Sequence, residues 1–278
     1  MNARELLTTG DLTQAIERAQ QDVRSLPLDS HARMFLFELL CFAGQWARAA
    51  LQLDTLEQLS AGPAAGELVL CRELLSAQVE RERFLSAGRP PRFFIEPPST
   101  VAITLDAWDR LRAGEPAEAV DRLDRSEAGR LPPRGRLGEA RFEDFRDTDD
   151  VLAAVLEAFA RGVYYWVPWD DVQYLDVQPP RSLRDLLWAP ARIALAQGIL
   201  GEIYLPCLYP GSAAQADDLI RLGHKTAWVD AGCGLSRGVG LKTFLADDAF
   251  RTIFELRDLH FDAPAAPSPA DTASAQPA

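Results

Sequence analysis

The first 128 residues carry apolar side chains at the spacing of amphipathic helices, interrupted by glycine or proline. In GDLTQAIERAQQDVRSLP the apolar residues recur three and four positions apart, and Pro27 ends the pattern. Asp29 and Ser30 then stand where a helix N-cap is expected, ahead of a second stripe. The two stripes consist of Leu12, Ala15, Ile16, Ala19 and Val23, and of Phe35, Leu36, Leu39, Leu40 and Ala43. This part of the chain is therefore predicted to form paired helices.

Further helices are predicted along the same region. One begins near Trp46, one runs from about Ala64 to Ala87, and others follow the proline-rich segment GRPPRFFIEPP. Short helices joined by such turns resemble tetratricopeptide (TPR) repeats, although the period here is irregular. Helices in these arrays stack to bury their apolar faces, and the concave face that remains commonly binds a peptide or a helix.

The pattern changes in the second half of the chain. Residues 129–146 are rich in glycine, proline and charge and are predicted to form a linker or ordered loop. One more helix is predicted from Asp149 to Ala160. Seven short runs typical of strands follow it: VYYWVP, VQYLDV, ARIALAQ, EIYLPCLY, TAWVD, VGLKTFLA and TIFELRD.

The predicted fold class is α+β, with an N-terminal TPR-like helix-hairpin array followed by a small, mainly antiparallel β domain with short helices. The array is assigned to residues 1–128, the linker to 129–146 and the β domain to 147–261. Residues 262–278 contain no large apolar side chain. They are predicted to be a disordered tail, because they cannot offset the entropy of ordering.

Aromatic residues concentrate between Val163 and Pro190, a segment with three of the six tryptophans of the chain. In a strand over VYYWVP, Tyr164 and Trp166 would lie on one face and Tyr165 and Val167 on the other. Both faces are then rich in large groups. One face is expected in the core of the β domain, and the other either packs on the helical array or binds a partner.

Composition narrows the class of protein. Apolar residues make up 47% of the chain and charged residues 25%, as in soluble globular proteins, and the net charge is -12. This balance argues against nucleic acid and anionic membranes as partners. The N-terminus lacks the apolar core of a secretory signal, no segment has the length of a membrane span, and a cytoplasmic location is expected. Cys41, Cys71, Cys207 and Cys233 form no C-x-x-C pair, so no disulfide framework is predicted.

One segment has the character of a cofactor site. WVDAGCGLSRGVG, from Trp228 to Gly240, resembles the first motif of class I methyltransferases, in which a glycine turn approaches S-adenosylmethionine. That fold requires a helix after the turn, whereas the following GVGLKTFLA is strand-like. The alternative interpretation is a glycine-rich β turn.

No other residues form a recognisable catalytic or metal site. His31, His224 and His260 lack partners at metal-ligand spacing, and each is expected at a surface or cap. Carboxylate doublets such as Asp170–Asp171 stand at predicted helix starts or turns, where aspartate caps the backbone. The sequence therefore predicts no catalytic residue, no cofactor and no metal.

Four longer segments resemble the ImpE family, also called TagJ or SciE-type, of bacterial type VI secretion accessory proteins. They are ARMFLFELLCFAGQWARAALQLDTL, DTDDVLAAVLEAFARGVYYWVPWDDV, PPRSLRDLLWAPARIAL and LYPGS, in this order. The resemblance spans nearly the whole chain except the tail. The family-motif residues, interpreted as structural, are Asp147, Asp149, Tyr164, Tyr165, Trp166, Pro168, Pro179, Pro180, Arg184, Asp185, Trp188, Tyr209, Pro210 and Ser212.

The resemblance implies a non-enzymatic adaptor in the bacterial cytoplasm. Members of this family are thought to bind the N-terminal helix of the sheath subunit TssB and to be linked to ClpV, the ATPase that recycles contracted sheath. The candidate partner-binding residues are Phe35, Leu39, Phe42, Trp46, Phe93 and Phe94, of which the first four could equally be inter-helix core. A purely structural scaffold for another secretion component, and a methyltransferase using Asp230 to Gly234, are the alternatives.

Overall fold

The N-terminal part of the chain is helical in a computed structural model that describes residues 1–59 and 65–262. Its helices are α1 (Ala3–Thr8), α2 (Leu12–Ser25), α3 (Ser30–Phe42), α4 (Trp46–Leu59), α5 (Ala65–Ala87), α6 (Ser99–Arg112) and α7 (Pro116–Ala128). The side chain of Asp29 accepts hydrogen bonds from the amides of His31 and Ala32, so it caps α3 as the sequence predicts. Neighbouring helices pack against each other in chain order from α1 to α5, and α6 packs on α7.

The second part is mainly antiparallel β structure. Its strands are β1 (Gly135–Leu137), β2 (Ala140–Phe142), β3 (Phe145–Asp147), β4 (Val155–Ala160), β5 (Val163–Pro168), β6 (Val172–Val177), β7 (Trp188–Leu195), β8 (Leu200–Pro206), β9 (Thr226–Asp230), β10 (Ser236–Gly240), β11 (Thr243–Ala246), β12 (Ala249–Thr252) and β13 (Leu259–Phe261). One short helix, α8 (Asp218–Arg221), precedes β9. Helices followed by antiparallel strands confirm the predicted α+β fold class.

The strands form three sheets among the described residues. The largest has eight strands in the order β2-β1-β13-β6-β7-β8-β4-β5, while β12-β11-β3 and β10-β9 form smaller sheets. All the named strand pairs are antiparallel. The segment after α5 extends the edge of β5, because Arg92 exchanges backbone hydrogen bonds of 3.0 Å with Tyr164 and Trp166.

Two apolar cores lie on opposite faces of β4 and β5. Val155, Phe159, Tyr164 and Trp166 belong to the core shared with the helices. Leu156, Ala158 and Val167 belong to a second core enclosed by the sheets. The helical array therefore uses one face of the large sheet as part of its own core.

The helix predicted from Asp149 to Ala160 is wrong. Residues 149–154 form a turn in which Asp149 accepts hydrogen bonds from the amides of Val151 and Leu152, and 155–160 form β4. Because β4 is covered on both faces, VLEAFA is apolar at every position except Glu157 and shows no regular alternation. Such a run does not distinguish a buried strand from a helix by its period.

Three other sequence expectations need revision. Residues 129–146, expected to be a linker or loop, contain β1, β2 and the first two residues of β3. The run VGLKTFLA is divided between β10 and β11 at Leu241 and Lys242, and TIFELRD forms a 3-10 turn at Ile253–Glu255 after β12. Of the tail expected at 262–278, residues 263–278 lie outside the described part of the chain.

Phe84 on α5 joins the two parts of the fold. It is 1% exposed, and its ring lies 5.1 Å from that of Trp166, 6.1 Å from that of Tyr164 and 5.3 Å from that of Trp108. These contacts place the aromatic face of β5 against α5 and α6. The sequence left two roles open for the second face of this aromatic cluster, packing on the helical array or binding a partner. In the described structure this face packs on the helices.

Phe84→Ala should lower the free energy of unfolding by about 3–5 kcal/mol, because it removes a buried ring from the contact between helices and sheet. The matched control is Phe250→Ala, since Phe250 is 61% exposed. Its change should be below about 1 kcal/mol. Denaturant titration of both variants measures the difference. Equal losses of unfolding free energy would contradict the role of Phe84 in joining the helices to the sheet.

Candidate functional site

A cluster of four buried charges lies where α5 meets the sheet. Arg81 of α5 donates two hydrogen bonds to Glu157 of β4, at 2.7 and 2.6 Å. Lys242, between β10 and β11, lies 3.1 Å from Glu157 and 3.0 Å from Asp147 at the end of β3. The four side chains are between 0 and 4% exposed. Two cations and two carboxylates thus balance in charge.

Hydroxyl groups complete the hydrogen bonding of this charge cluster. Tyr164 donates to Glu157 at 2.6 Å, and its hydroxyl accepts a hydrogen bond from the indole of Trp166. Tyr209 donates to Asp147 at 2.6 Å and accepts from the amide of Thr243 at 3.1 Å. Each carboxylate therefore has at least two donors, the condition under which charges are tolerated in a protein interior.

The electrostatics of the charge cluster favour the charged forms of Glu157 and Lys242, whereas burial raises the pKa of Asp147 despite the attraction of Lys242. Burial alone would raise the pKa of Glu157, but the adjacent Arg81 and Lys242 hold that pKa well below its usual range. Burial alone would lower the pKa of Lys242, but attraction to Asp147 and Glu157 raises it. A lysine and a glutamate held in this way are poor proton donors and acceptors near neutral pH. The cluster is therefore suited to docking the helices on the sheet.

A second ion pair fixes the turn before β4. Asp149 accepts hydrogen bonds from Arg237 of β10 at 2.7 Å and from the amide of Gly238 at 3.0 Å. The guanidinium of Arg237 lies 4.2 Å above the ring of Trp108 on α6. The D-x-D pair at Asp147 and Asp149 thus ties β3 to two later segments of the chain.

The LRDL segment contacts the helical array directly. Asp185 accepts hydrogen bonds from the amides of Arg181 and Ser182, at 2.8 and 3.1 Å, and so closes its own turn. Arg184 reaches α5, where it lies 3.4 Å from Glu67 and donates to the sulfur of Cys71 at 3.6 Å. Trp188 donates to Gln78 of α5 at 3.2 Å.

The other family-motif residues surround these contacts. Ser212 donates to the carbonyl of Tyr209 at 2.6 Å and accepts from the amide of Gly240 at 2.8 Å, so it locks the LYPGS loop to β10. Pro168 is buried at the end of β5, Pro210 is half-buried, and Pro179 and Pro180 are exposed in the connection after β6. Tyr165 is half-buried with its ring 4.0 Å from that of Phe94.

An open, largely apolar groove of about 670 Å³ lies between α4 and α5. The side chains that supply its apolar lining are Trp46, Ala47, Ala50, Leu75 and Val79. A second pocket of about 320 Å³ adjoins it at Gly44, Trp46 and Glu82, and Arg81 and Tyr209 line that pocket. The α4–α5 groove thus lies on the outward face of α5, and the charge cluster lies on the inward face of the same helix.

The predicted partner-binding residues fall in different environments. Phe35, Leu39 and Phe42 are 8, 0 and 1% exposed and belong to the helical core. Trp46 is half-buried and lines the groove. Phe93 and Phe94 are half-buried beside β5, about 50 residues further along the chain, and they are not among the residues that line the α4–α5 groove.

The glycine-rich segment at Trp228–Gly240 is a hairpin of β9 and β10. Its turn is followed by an antiparallel strand, in agreement with the β-turn interpretation and unlike the strand–turn–helix unit of a methyltransferase. His31 and His224 are exposed, and His260 lies 2.9 Å from Asp258 on the surface. Within the part of the chain that the structure describes, no three histidine, cysteine or carboxylate side chains are grouped as metal ligands.

Sequence reasoning missed Arg81, Glu157 and Lys242. A signal was available, because Glu157 interrupts the apolar run VLEAFA and Lys242 interrupts GVGLKTFLA. A lone charge inside a buried run is expected to have an opposite partner, since unpaired burial is costly. The partners themselves are 76 and 85 residues away from Glu157, and spacing along the chain does not reveal such pairs.

The chain is similar in sequence and in fold to known proteins. The family model described as ImpE protein matches residues 139–260. The chain is 37% identical over 265 residues to a type VI secretion system accessory component, TagJ, of Pseudomonas aeruginosa, a match that covers 94% of this chain and 92% of the relative. The crystal structure of protein VPA1032 from Vibrio parahaemolyticus superposes with a TM-score of 0.85 and 24% identity, over 94% of this chain and 97% of that one.

Glu157→Gln should destabilise the fold by about 3–5 kcal/mol, because it leaves Arg81 and Lys242 buried with half their counter-charge. The matched control is Glu118→Gln, which removes one of the three exposed carboxylate partners of Arg110 and should change the free energy of unfolding by less than about 1 kcal/mol. Urea titrations of both variants measure this. A loss of less than about 1 kcal/mol for Glu157→Gln would contradict the docking role of the cluster.

Glu38 of α3 should make stability depend on pH. Burial raises the pKa of Glu38 to about 7, against the lowering effect of Arg184. A carboxyl whose folded pKa is raised stabilises the fold below its unfolded pKa of 4.5, and this contribution is lost as pH rises towards 7.

Glu38→Gln should therefore be more stable than the natural chain above pH 7, by about 3 kcal/mol, and should match it near pH 4.5. Thermal unfolding of both proteins across this pH range measures the difference. Parallel stability curves would show that Glu38 is not the titrating group.

Proposed function

The chain belongs to the ImpE family, and we propose that it is a non-enzymatic accessory protein of a bacterial type VI secretion system that holds an amphipathic helix of the sheath subunit TssB in the α4–α5 groove. The observation that carries this proposal is the groove itself. Its apolar lining is supplied by two helices, and its size suits one face of a helix.

The shape of the groove supports a helical ligand. Trp46 stands at the junction of the groove and the adjoining 320 Å³ pocket, where an apolar side chain of the ligand could insert beside it. Helices bound in such grooves use residues at positions i, i+3, i+4 and i+7 as anchors. Tryptophan is also enriched among the residues that dominate binding energies.

The charges at the rim support a ligand with an acidic flank. Arg48, Glu82 and Arg83 border the groove, and neither arginine has a carboxylate within 4.0 Å in the part of the chain that is described. Acidic residues beside the apolar face of the ligand would pair with Arg48 and Arg83.

In this proposal the protein acts as an adaptor in the cytoplasm. Its own chemistry consists of binding, and it hydrolyses no ATP. Occupying the TssB helix would bias the access of ClpV to the sheath and so modulate the recycling of contracted sheath. Phe93 and Phe94 are the alternative anchors for the same ligand, and a scaffold that binds another secretion component is the alternative function.

Titration calorimetry with the N-terminal helical peptide of the cognate TssB should give a dissociation constant in the micromolar range, about -8 kcal/mol. Trp46→Ala should weaken binding by roughly 30-fold, or about 2 kcal/mol, because it removes the central anchor. The control is Leu51→Ala, on the outer face of α4, where Leu51 is 61% exposed. Its affinity should be unchanged.

Two results would redirect the proposal. Loss of binding in a Phe93→Ala, Phe94→Ala double variant, with Trp46→Ala unaffected, would move the site to the loop after α5. No heat of binding with the natural chain at high peptide concentration would favour the scaffold function. Unfolding temperatures of all the variants show whether each remains folded.

A further inference from the structure

Strand β9 is a free edge of the hairpin that it forms with β10. On β10, the amide of Gly238 donates to Asp149, the carbonyl of Gly240 accepts from Tyr209, and the carbonyl of Ser236 accepts from Asp150. These even-numbered residues therefore direct their backbone groups away from β9. The ladder between the strands must use the odd-numbered pairs, and the bond from the amide of Ala231 to the carbonyl of Leu235 continues that series.

The same alternation fixes the direction of the groups on β9. Its even-numbered residues, Thr226, Trp228 and Asp230, lie opposite Gly240, Gly238 and Ser236. Their amides and carbonyls consequently point outward. None of them has a backbone hydrogen-bond partner among residues 1–59 and 65–262. Three consecutive outward pairs of donor and acceptor are a template for another strand.

The side chains on this edge are also apolar and accessible. Trp228 is 45% exposed and Val229 is 44% exposed. Natural edge strands are usually protected by proline, by lysine or by a bulge. TAWVD contains neither proline nor lysine, and its pairing with β10 runs without a bulge from Thr226 to Asp230.

We propose that β9 pairs antiparallel with β9 of a second copy of this chain, about a two-fold axis at Trp228. In this register Trp228 lies opposite its own counterpart, and Thr226 lies opposite Asp230 of the second copy. All three outward residues then find hydrogen-bonding partners, which is the largest number that the edge allows.

The charges of the strand fit this self-pairing. Asp230 meets Thr226, Lys225 meets Ala231 and Val229 meets Ala227, so no two like charges lie opposite each other. A shift by two residues, with Ala227 on the axis, would leave Asp230 opposite His224, outside the strand. Of these two registers the sequence favours the one centred on Trp228, and this interface is separate from the α4–α5 groove.

Disulfide trapping tests the register directly. The experiment uses the full chain with Cys233→Ser, because Cys233 is the exposed cysteine and Cys41, Cys71 and Cys207 are buried. Trp228→Cys would place two thiols across the axis on α-carbons about 5.5 Å apart, within disulfide range. Val229→Cys is the matched control, since its exposure is nearly equal but its counterpart lies more than about 7 Å away.

The proposal expects a cross-linked dimer for Trp228→Cys and none for Val229→Cys under mild oxidation. Sedimentation velocity of the natural chain should show a concentration-dependent dimer. Trp228→Lys should weaken that dimer by about tenfold or more, since it places like charges opposite each other, while Phe250→Lys should not. A natural chain that stays monomeric at every concentration, or equal trapping of the two cysteine variants, would overturn the proposal.

Discussion

The contact between Arg81, Glu157, Lys242 and Asp147 is the constraint on which the rest of the structure depends. Four charges are removed from water at the junction of a helix and three separate parts of the β region. Desolvating them is unfavourable unless all four are in place with their hydrogen bonds. The helical array and the sheet must therefore dock in one relative position, because any displacement leaves a buried charge without its partner.

This arrangement gives α5 two roles. Its inward face carries Arg81, Gln78 and Phe84 onto the sheet, while Leu75 and Val79 form one wall of the groove. A ligand bound in the groove would contact one face of α5 while the opposite face is already fixed to the sheet. Pre-organisation of this kind reduces the entropic cost of binding, so that a modest apolar groove can retain a single helix.

The sequence was sufficient for the helices and for the fold class, because the helical stripes are amphipathic and end at glycine or proline. It was also sufficient for strands such as β5 and β6, where aromatic and β-branched residues cluster. It failed at β4, since a strand buried on both faces has no alternation to detect. Residues 129–146 were misjudged because β1 and β2 are three residues long, and β1 pairs with β13, which lies more than 110 residues away.

The candidate site was harder to predict for a physical reason. Phe35, Leu39 and Trp46 have similar spacing and character, yet the first two are core and the third lines a groove. Which face of a helix is covered depends on its neighbours in space. Periodicity identifies an apolar face but does not say whether another part of the chain or a partner covers it.

Hydrogen–deuterium exchange of the full chain, with and without the TssB N-terminal peptide, tests the central claim most directly. The account predicts that the peptide slows exchange in residues 46–59 and 65–87, the two helices of the groove, and leaves the β9–β10 hairpin unchanged. Protection confined to the loop at Phe93 and Phe94 or to the sheet, or no protection at saturating peptide, would contradict it.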